Sequence, residues 1–218
     1  MSEPGMTENT VGARHSRVEI SASDFFNAEW ERAAPVRLAR YWTGEPAPPE
    51  RQAEARVIWS EKALYVRFIG RQGEPLVLSE APQTDAKTIG LWERDVCEIF
   101  VAPDGSRVWH YFEFEGAPTG EWIDLEIKCR PEARETDWQY NSGMTAAGLI
   151  EEGRVLVMMS VPWEAFGRRP KAGELWRANL FRCVGGGASR GYLTWQPTLT
   201  PQPNFHVPEA FGWLRFEE

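Results

Sequence analysis

The sequence has 218 residues, which is long enough for one β-sandwich domain with its own core or for two small domains, and we expect one. Its formal net charge of −8 argues against nucleic acid and anionic membranes as partners, because both require a basic surface. Three cysteines, odd in number and far apart, indicate neither a disulfide framework nor a paired-cysteine metal site.

The first segment, residues 1–16, is predicted to be a disordered tail, because it is polar and lacks hydrophobic periodicity. It contains no apolar stretch of the kind found in signal peptides, and no run of about 18 apolar residues follows it. The sequence as written therefore predicts a cytoplasmic protein, with export left open if the start has been trimmed or misassigned. One domain is predicted over residues 17–218.

A short helix around Trp30 is the first predicted element of this domain, with Ser23 or Asp24 as its N-terminal cap. After a proline-rich loop, residues 55–60 and 64–71 alternate around a short turn and predict a β-hairpin. A long loop over residues 72–90 follows and ends just before Trp92. Loops that end at an aromatic residue beside carboxylates are suited to ligand binding, with disorder as the alternative.

The most informative segment is 91–128, where acidic and aromatic residues share a strand face. Strand alternation places Trp109, Tyr111, Glu113 and Glu115 on one side of the segment 109–115. Rings beside fixed carboxylates are suited to binding a sugar.

Two predicted turns set the register of the neighbouring strands. A turn at 103–106 would place Glu98 opposite Tyr111. A second turn at 117–120 would place Glu113 beside Asp124 and Tyr111 beside Glu126. We therefore expect the four carboxylates to surround Tyr111.

Further strands are predicted at 155–161, 174–184, 191–195 and 211–216, with a short helical turn at 162–166. At least nine short strands and few helices predict an all-β, antiparallel β-sandwich of the jelly-roll type with one or two short helices.

The order of several motifs resembles the family nine carbohydrate-binding modules, and specifically the stand-alone bacterial proteins that look like these modules. The resemblance covers most of the chain from Trp30 onward. It rests on Leu64–Val66, Leu91–Val101, Tyr111–Glu115, Val161–Trp163, Asn179, Trp195 and Phe211–Gly212. It implies a jelly-roll β-sandwich whose founding members clamp a terminal sugar between two tryptophans, while acidic and amide groups bind its hydroxyls.

Site residues are implied by the same resemblance. Trp92 matches the first stacking ring, and Glu98 matches a carboxylate that accepts hydrogen bonds from the sugar. Phe205 stands where the second tryptophan is expected, and Glu113 stands where an arginine is expected. The predicted ligand-binding residues are Trp92, Glu98, Tyr111, Glu113, Asn179, Arg182, Trp195 and Phe205.

The predicted function is a non-catalytic carbohydrate-binding domain that binds a saccharide chain end or a small oligosaccharide in polysaccharide catabolism. A glycoside hydrolase is one alternative, because Glu98 and Glu113 or Glu126 could lie about 5 to 9 Å apart. Related sandwiches in dehydrogenase subunits suggest a haem-binding alternative, for which Met144, Met158 and Met159 offer sulfur ligands.

No cofactor is predicted with certainty, but the resemblance is compatible with structural calcium. Glu113, Asp124 and Glu126 offer oxygen ligands of the kind that calcium takes. The sequence places no defined metal site.

Overall fold

Two layers of β-strands pack face to face, which confirms the predicted all-β sandwich. The computed structural model describes residues 9–130 and 133–218. Its strands are β1 (Thr10–His15), β2 (Val36–Leu38), β3 (Arg40–Tyr41), β4 (Ala53–Trp59), β5 (Ala63–Arg71), β6 (Val96–Ala102), β7 (His110–Gly116), β8 (Trp122–Arg130), β9 (Ala133–Asp137), β10 (Thr145–Glu151), β11 (Arg154–Pro162), β12 (Leu175–Val184), β13 (Gly191–Thr194) and β14 (Gly212–Phe216).

The helical elements of the described chain are short 3-10 turns. They span Ala28–Arg32, Pro49–Arg51, Leu91–Glu93, Gly105–Arg107, Trp163–Phe166, Gly187–Ser189 and Pro208–Ala210. Across residues 9–130 and 133–218, none has the length and apolar character of a membrane-spanning helix.

Strand β1 joins the two layers. The first layer has the order β10-β11-β5-β4, with β2 also on β4. The second has the order β14-β12-β6-β7-β8-β9, with β13 on β12 and β3 on β13. The strands named here pair antiparallel, as predicted, except that β1 pairs in parallel with both β4 and β14.

The predicted tail over residues 1–16 is wrong for the part that forms β1. Val11 and Ala13 are buried between β4 and β14, and the parallel pairing satisfies the backbone on both sides. Only two apolar side chains, Val11 and Ala13, alternate in this strand, so its sequence pattern is too short to stand out from the polar residues around it. Residues 1–8 lie outside the described part of the chain.

The predicted helix around Trp30 is a 3-10 turn whose cap is Asn27, not Ser23 or Asp24. The Asn27 side chain accepts a hydrogen bond from the backbone N–H of Glu29 at 3.0 Å. Trp30 is fully buried, so this segment covers the outer face of the first layer.

The main core lies between the layers and contains Leu64, Val66 and Phe68, which are alternate residues of the predicted hairpin. A separate apolar cluster lies on the outer face of the second layer and includes Phe100 and Phe181. This second cluster supports the cavity described below.

The three methionines of the haem alternative are packed in the protein interior. Met144 and Met159 lie in the core between the layers, and Met158 lies under the Trp30 segment. Their burial is explained by packing against other apolar side chains.

Candidate functional site

A cavity of about 500 Å³ opens on the outer face of the second layer. Strands β6, β7 and β8 supply most of its floor, and Cys183 of β12 adds to it. Its walls include the rings of Trp92, Trp138, Tyr192, Phe205 and His206.

Three glutamates form the acidic floor of this cavity. Glu98 pairs directly with Glu115 across β6 and β7, and Glu113 pairs with Phe100 on the same face. The three side chains, Glu98, Glu113 and Glu115, are almost completely buried, with residue exposures of 2%, 3% and 0%. One carboxylate oxygen from each lies within 4.8 Å of one from each of the others. We refer to Glu98, Glu113 and Glu115 as the glutamate triad.

Hydrogen bonds satisfy this triad poorly. Glu98 accepts a long hydrogen bond of 3.5 Å from the Cys183 thiol. Among the described residues, Oε2 of Glu113 and both oxygens of Glu115 have no hydrogen-bond partner. Because a buried carboxylate without partners is strongly disfavoured, the triad needs protons or a cation to compensate its charge.

Burial is the main cause that raises the pKa of each triad carboxyl above its ordinary value. Repulsion from Glu113 raises the pKa of Glu98 further, and repulsion from both neighbours does so for Glu115. Arg134 and Arg190 line the cavity and act in the opposite direction without cancelling the effect of burial. The guanidinium of Arg190 donates its hydrogen bonds to backbone carbonyls rather than to the triad.

Tyr111 and His206 form a neutral pair beside the triad. The Tyr111 hydroxyl lies 2.8 Å from Nδ1 of His206, and burial lowers the pKa of His206 to about 3. The ring is therefore neutral near pH 7, and the hydroxyl and Nδ1 share one hydrogen bond. The 4.0 Å approach of His206 Nε2 to Glu113 is consequently not an ion pair.

Two tryptophans stand at the rim. Trp92 is half-buried, Trp138 is 45% exposed, and their ring centres are 6.1 Å apart. Phe205 instead stacks on Phe181 at 4.1 Å and is only 9% exposed, so most of its face is already covered. The exposed ring surface available to a ligand is therefore greatest at Trp92 and Trp138.

Four of the predicted ligand-binding residues, Trp92, Glu98, Glu113 and Phe205, line the described cavity. Tyr111 lies beside it in the buried cluster.

The other three predicted residues lie elsewhere. Asn179 is buried, and its amide bonds the backbone of Gln196 and Leu180. The ring of Trp195 packs so closely on Gly212 that a Cβ there would collide with it. Arg182 pairs with Cys97, so its side chain points between the layers rather than into the cavity. These three positions are corrected from ligand contacts to structural residues.

The predicted carboxylate cluster around Tyr111 is also corrected. Asp124 pairs with Phe114 and Glu126 with Phe112, so both lie on the opposite face from Glu113. Lys87 pairs with Asp124 at 2.7 Å, and Nε2 of His110 lies 2.7 Å from Glu126. The calcium ligand set of Glu113, Asp124 and Glu126 is therefore not assembled.

Sequence reasoning missed Glu115, Arg134, Trp138 and Arg190 as cavity residues. Only Glu115 carried a usable signal, because it shares the strand face of Glu113. Arg134, Trp138 and Arg190 reach the cavity through β9 and two loops whose positions depend on long-range packing.

A larger cleft of about 760 Å³ lies on another part of the surface. Its lining is mainly basic and includes Arg14, Arg17, Arg169 and Lys171. It contains none of the predicted ligand-binding residues. The aromatic side chains among its described lining residues are those of Trp59 and His15. The smaller cavity therefore fits the predicted chemistry better.

Comparison with known proteins agrees with this architecture. The sequence model of the family described as "Carbohydrate family 9 binding domain-like" matches residues 24–218. No curated protein matches the chain. A proposed carbohydrate-binding protein from Bacteroides uniformis ATCC 8492 is 18% identical, with a TM-score of 0.76 over 96% of this chain and 99% of that chain.

Two further solved structures are of a carbohydrate binding module family 9 from Caldicellulosiruptor kristjanssonii. The complex with glucose is 12% identical, with a TM-score of 0.68 over 95% of each chain. The complex with cellotriose is 14% identical, with a TM-score of 0.63 over 95% of this chain and 93% of that chain. At these identities the likeness is one of fold.

Proposed function

Because the chain belongs to the carbohydrate family 9 binding domain-like family, we propose that it binds a saccharide chain end or a small oligosaccharide in the cavity beside Trp92. The observation that carries this proposal is the juxtaposition of Trp92 and Trp138 with the buried acidic floor. Indole faces pack against the C–H faces of sugars, and fixed carboxyl groups select hydroxyl positions.

The site is expected to bind weakly. A cavity with one or two exposed rings and few freely accessible polar groups typically gives micromolar to millimolar affinity, on the order of −4 to −8 kcal/mol. The glucose and cellotriose complexes of the Caldicellulosiruptor kristjanssonii module make these two sugars the first ligands to test.

We expect Trp92→Ala to abolish saturable sugar binding, because it removes a ring surface at the rim. The measurement is a tryptophan-fluorescence titration with glucose, cellotriose and their borohydride-reduced forms. Loss of binding on reduction would indicate recognition of the reducing end.

Trp109→Ala is the matched control for this titration. Trp109 is 50% exposed and does not belong to the described cavity lining, so its removal should leave the affinity unchanged. An equal loss in both variants, or no saturable signal in the wild type across the sugars, would contradict the proposal.

We also propose that the domain is non-catalytic. The family whose model matches residues 24–218 is described as a binding domain. Of the two partners that a glycoside hydrolase would pair with Glu98, Glu126 lies on the opposite face of the sheet and Glu113 is almost completely buried.

We therefore expect no turnover of chromogenic glycosides by the wild type. The assay is release of nitrophenolate from a panel of nitrophenyl glycosides, with Glu98→Gln as the comparison. Turnover that disappears in Glu98→Gln would instead support the glycoside hydrolase.

A further inference from the structure

We propose that the glutamate triad binds a calcium ion at the floor of the cavity, and that the bound ion presents free coordination positions to sugar hydroxyls. The second part of this proposal rests on the proposed function, whereas the first part is independent of it.

Spacing supports the ion site. Two oxygens bound to one Ca²⁺ at about 2.4 Å can be at most about 4.8 Å apart. One oxygen from each of Glu98, Glu113 and Glu115 falls within that separation of the others. The three strand positions can therefore ligate one ion without a change of register.

The second observation is the lack of partners at Glu115. This residue has 0% exposure, and neither of its oxygens accepts a hydrogen bond from any described residue. Backbone pairing with Glu98 aims the side chain into the triad. A buried carboxylate is retained in a fold when a proton, a cation or a donor compensates it. Within the described cavity the available hydrogen-bond partner of Glu115 is Glu113, another acid, so that bond forms only when one of the two carries a proton, and a bound cation is the alternative.

The nearby basic residues do not compensate the negative charge of the triad through hydrogen bonds. Arg190 directs its guanidinium to the carbonyls of Gly185, Trp92 and Arg94. Arg134 is exposed, at the mouth of the cavity. His206 is half-buried, and its Nδ1 is hydrogen-bonded to the Tyr111 hydroxyl. None of them donates a hydrogen bond to the triad in the described structure.

Accessibility favours a metal ion over a cationic sugar. The partnerless oxygens of Glu113 and Glu115 have essentially no surface that water can reach. The ammonium group of an amino sugar is as large as a water molecule and is attached to a ring. A dehydrated metal ion is smaller, and hard oxygen ligands are those that calcium prefers.

The geometry also explains how the ion would serve a sugar. Calcium takes 6 to 8 oxygen ligands, more than three monodentate carboxylates supply. The remaining positions face the cavity below Trp92 and Trp138, where adjacent sugar hydroxyls can occupy them.

The first test is Ca²⁺ binding by the full-length chain after removal of metals with EDTA. We expect added Ca²⁺ to raise the unfolding temperature, and Tb³⁺ to give emission sensitised by the cavity tryptophans that Ca²⁺ displaces. In Glu115→Gln we expect roughly a tenfold or greater loss of Ca²⁺ affinity, because one charged ligand is removed.

Glu152→Gln is the matched control, because Glu152 is an exposed carboxylate outside the described cavity lining. It should keep the wild-type response. If Glu115→Gln does not fold, Glu98→Gln serves as the second variant. Absence of a Ca²⁺ response in the wild type, or an equal response in the triad variants, would overturn the site.

The second test repeats the sugar titration with Ca²⁺ and with EDTA. We expect binding of glucose or cellotriose to weaken at least about tenfold in EDTA, since the ion supplies ligand contacts. Ca²⁺ binding with sugar affinity unchanged by EDTA would overturn the bridging role and leave the proposed function intact. Ca²⁺ binding without any sugar binding would leave the ion site and contradict the proposed function. Tight binding of glucosamine with no Ca²⁺ response would replace the ion by an ammonium group.

Discussion

Arg182→Ala is expected to lower the free energy of unfolding by about 3 kcal/mol or more, one of the largest effects of any single substitution in this chain. The Arg182 guanidinium is buried between the layers and donates to the carbonyls of Arg51 and Arg71, each at 2.8 Å. It also donates to Oε1 of Gln72 at 2.7 Å. Its removal takes the guanidinium donor from these three acceptors, leaves a cavity where a large buried side chain stood, and breaks a link between β12 and the first layer.

Urea denaturation is the measurement, with the midpoint compared at an unchanged denaturant slope. Arg182→Lys should recover only part of the stability, because an ammonium group cannot reproduce the planar fork of donors. Arg37→Ala, at an exposed position of β2, is the control and should lie close to the wild type. If Arg182→Ala unfolded at the wild-type urea concentration, Arg182 would return to the ligand-binding candidates.

The face of each residue in a strand was predictable from alternation alone. Tyr111, Glu113 and Glu115 share the outer face as expected, because strand side chains alternate with a period of two. Buried apolar residues in the hairpin of β4 and β5 followed the same rule. Local patterns of this kind depend on few neighbours, so the sequence contains them.

Register was harder to predict because it depends on turn length. The connection from β6 to β7 spans 103–109, longer than the expected turn, so Glu98 pairs with Glu115 instead of Tyr111. That shift is four residues, an even number, and it left Glu98 on the same face. The next turn is one residue longer than expected, and this odd shift moved Asp124 to the other face.

Ligand contacts predicted because a residue is near a motif in the sequence were less accurate than strand faces predicted from alternation. Arg182 is adjacent in sequence to Phe181, which pairs with Glu98, but adjacent strand residues point to opposite faces. Trp138 and Arg190 reach the cavity from loops, where no periodicity marks the direction of a side chain. Long-range packing fixes these positions, and one sequence does not contain it.

In EDTA, the folded state is expected to be less stable at about pH 7.5 than at about pH 5, because of the glutamate triad. The pKa of Glu98, Glu113 and Glu115 is raised by burial above the unfolded value of 4.5. Below pH 4.5 the carboxyl groups are protonated in both states, so their ionisation costs no stability. As the pH rises above 4.5 the unfolded state loses protons that the folded state keeps, and the free energy of unfolding falls until the pH has passed the folded pKa values. Each proton held only by the folded state contributes a slope of about 1.4 kcal/mol per pH unit.

His206 acts in the opposite direction. Because burial lowers its pKa to about 3, the unfolded chain gains a proton below its ordinary pKa of 6.5 that the folded state does not take up. Acid therefore destabilises the fold through His206. His206 accounts for one proton, whereas the triad accounts for as many as three with the opposite effect on stability. Burial also raises the pKa of Asp95, which acts in the same direction as the triad. The net dependence between about pH 5 and pH 7.5 should follow the carboxyl groups.

Urea unfolding in EDTA at both pH values separates these contributions. The variant with Glu98→Gln, Glu113→Gln and Glu115→Gln together should lose most of the fall in stability toward neutral pH, because its amides do not titrate. His206 should then contribute a rise in stability toward neutral pH. Among the described buried carboxyl groups that remain, Asp95 has a raised pKa and opposes this rise. The same pH dependence in wild type and variant would show that the triad is charged and compensated in the folded state without added cation. Addition of Ca²⁺ to the wild type should abolish the loss at about pH 7.5, because the ion replaces the protons that the triad otherwise holds.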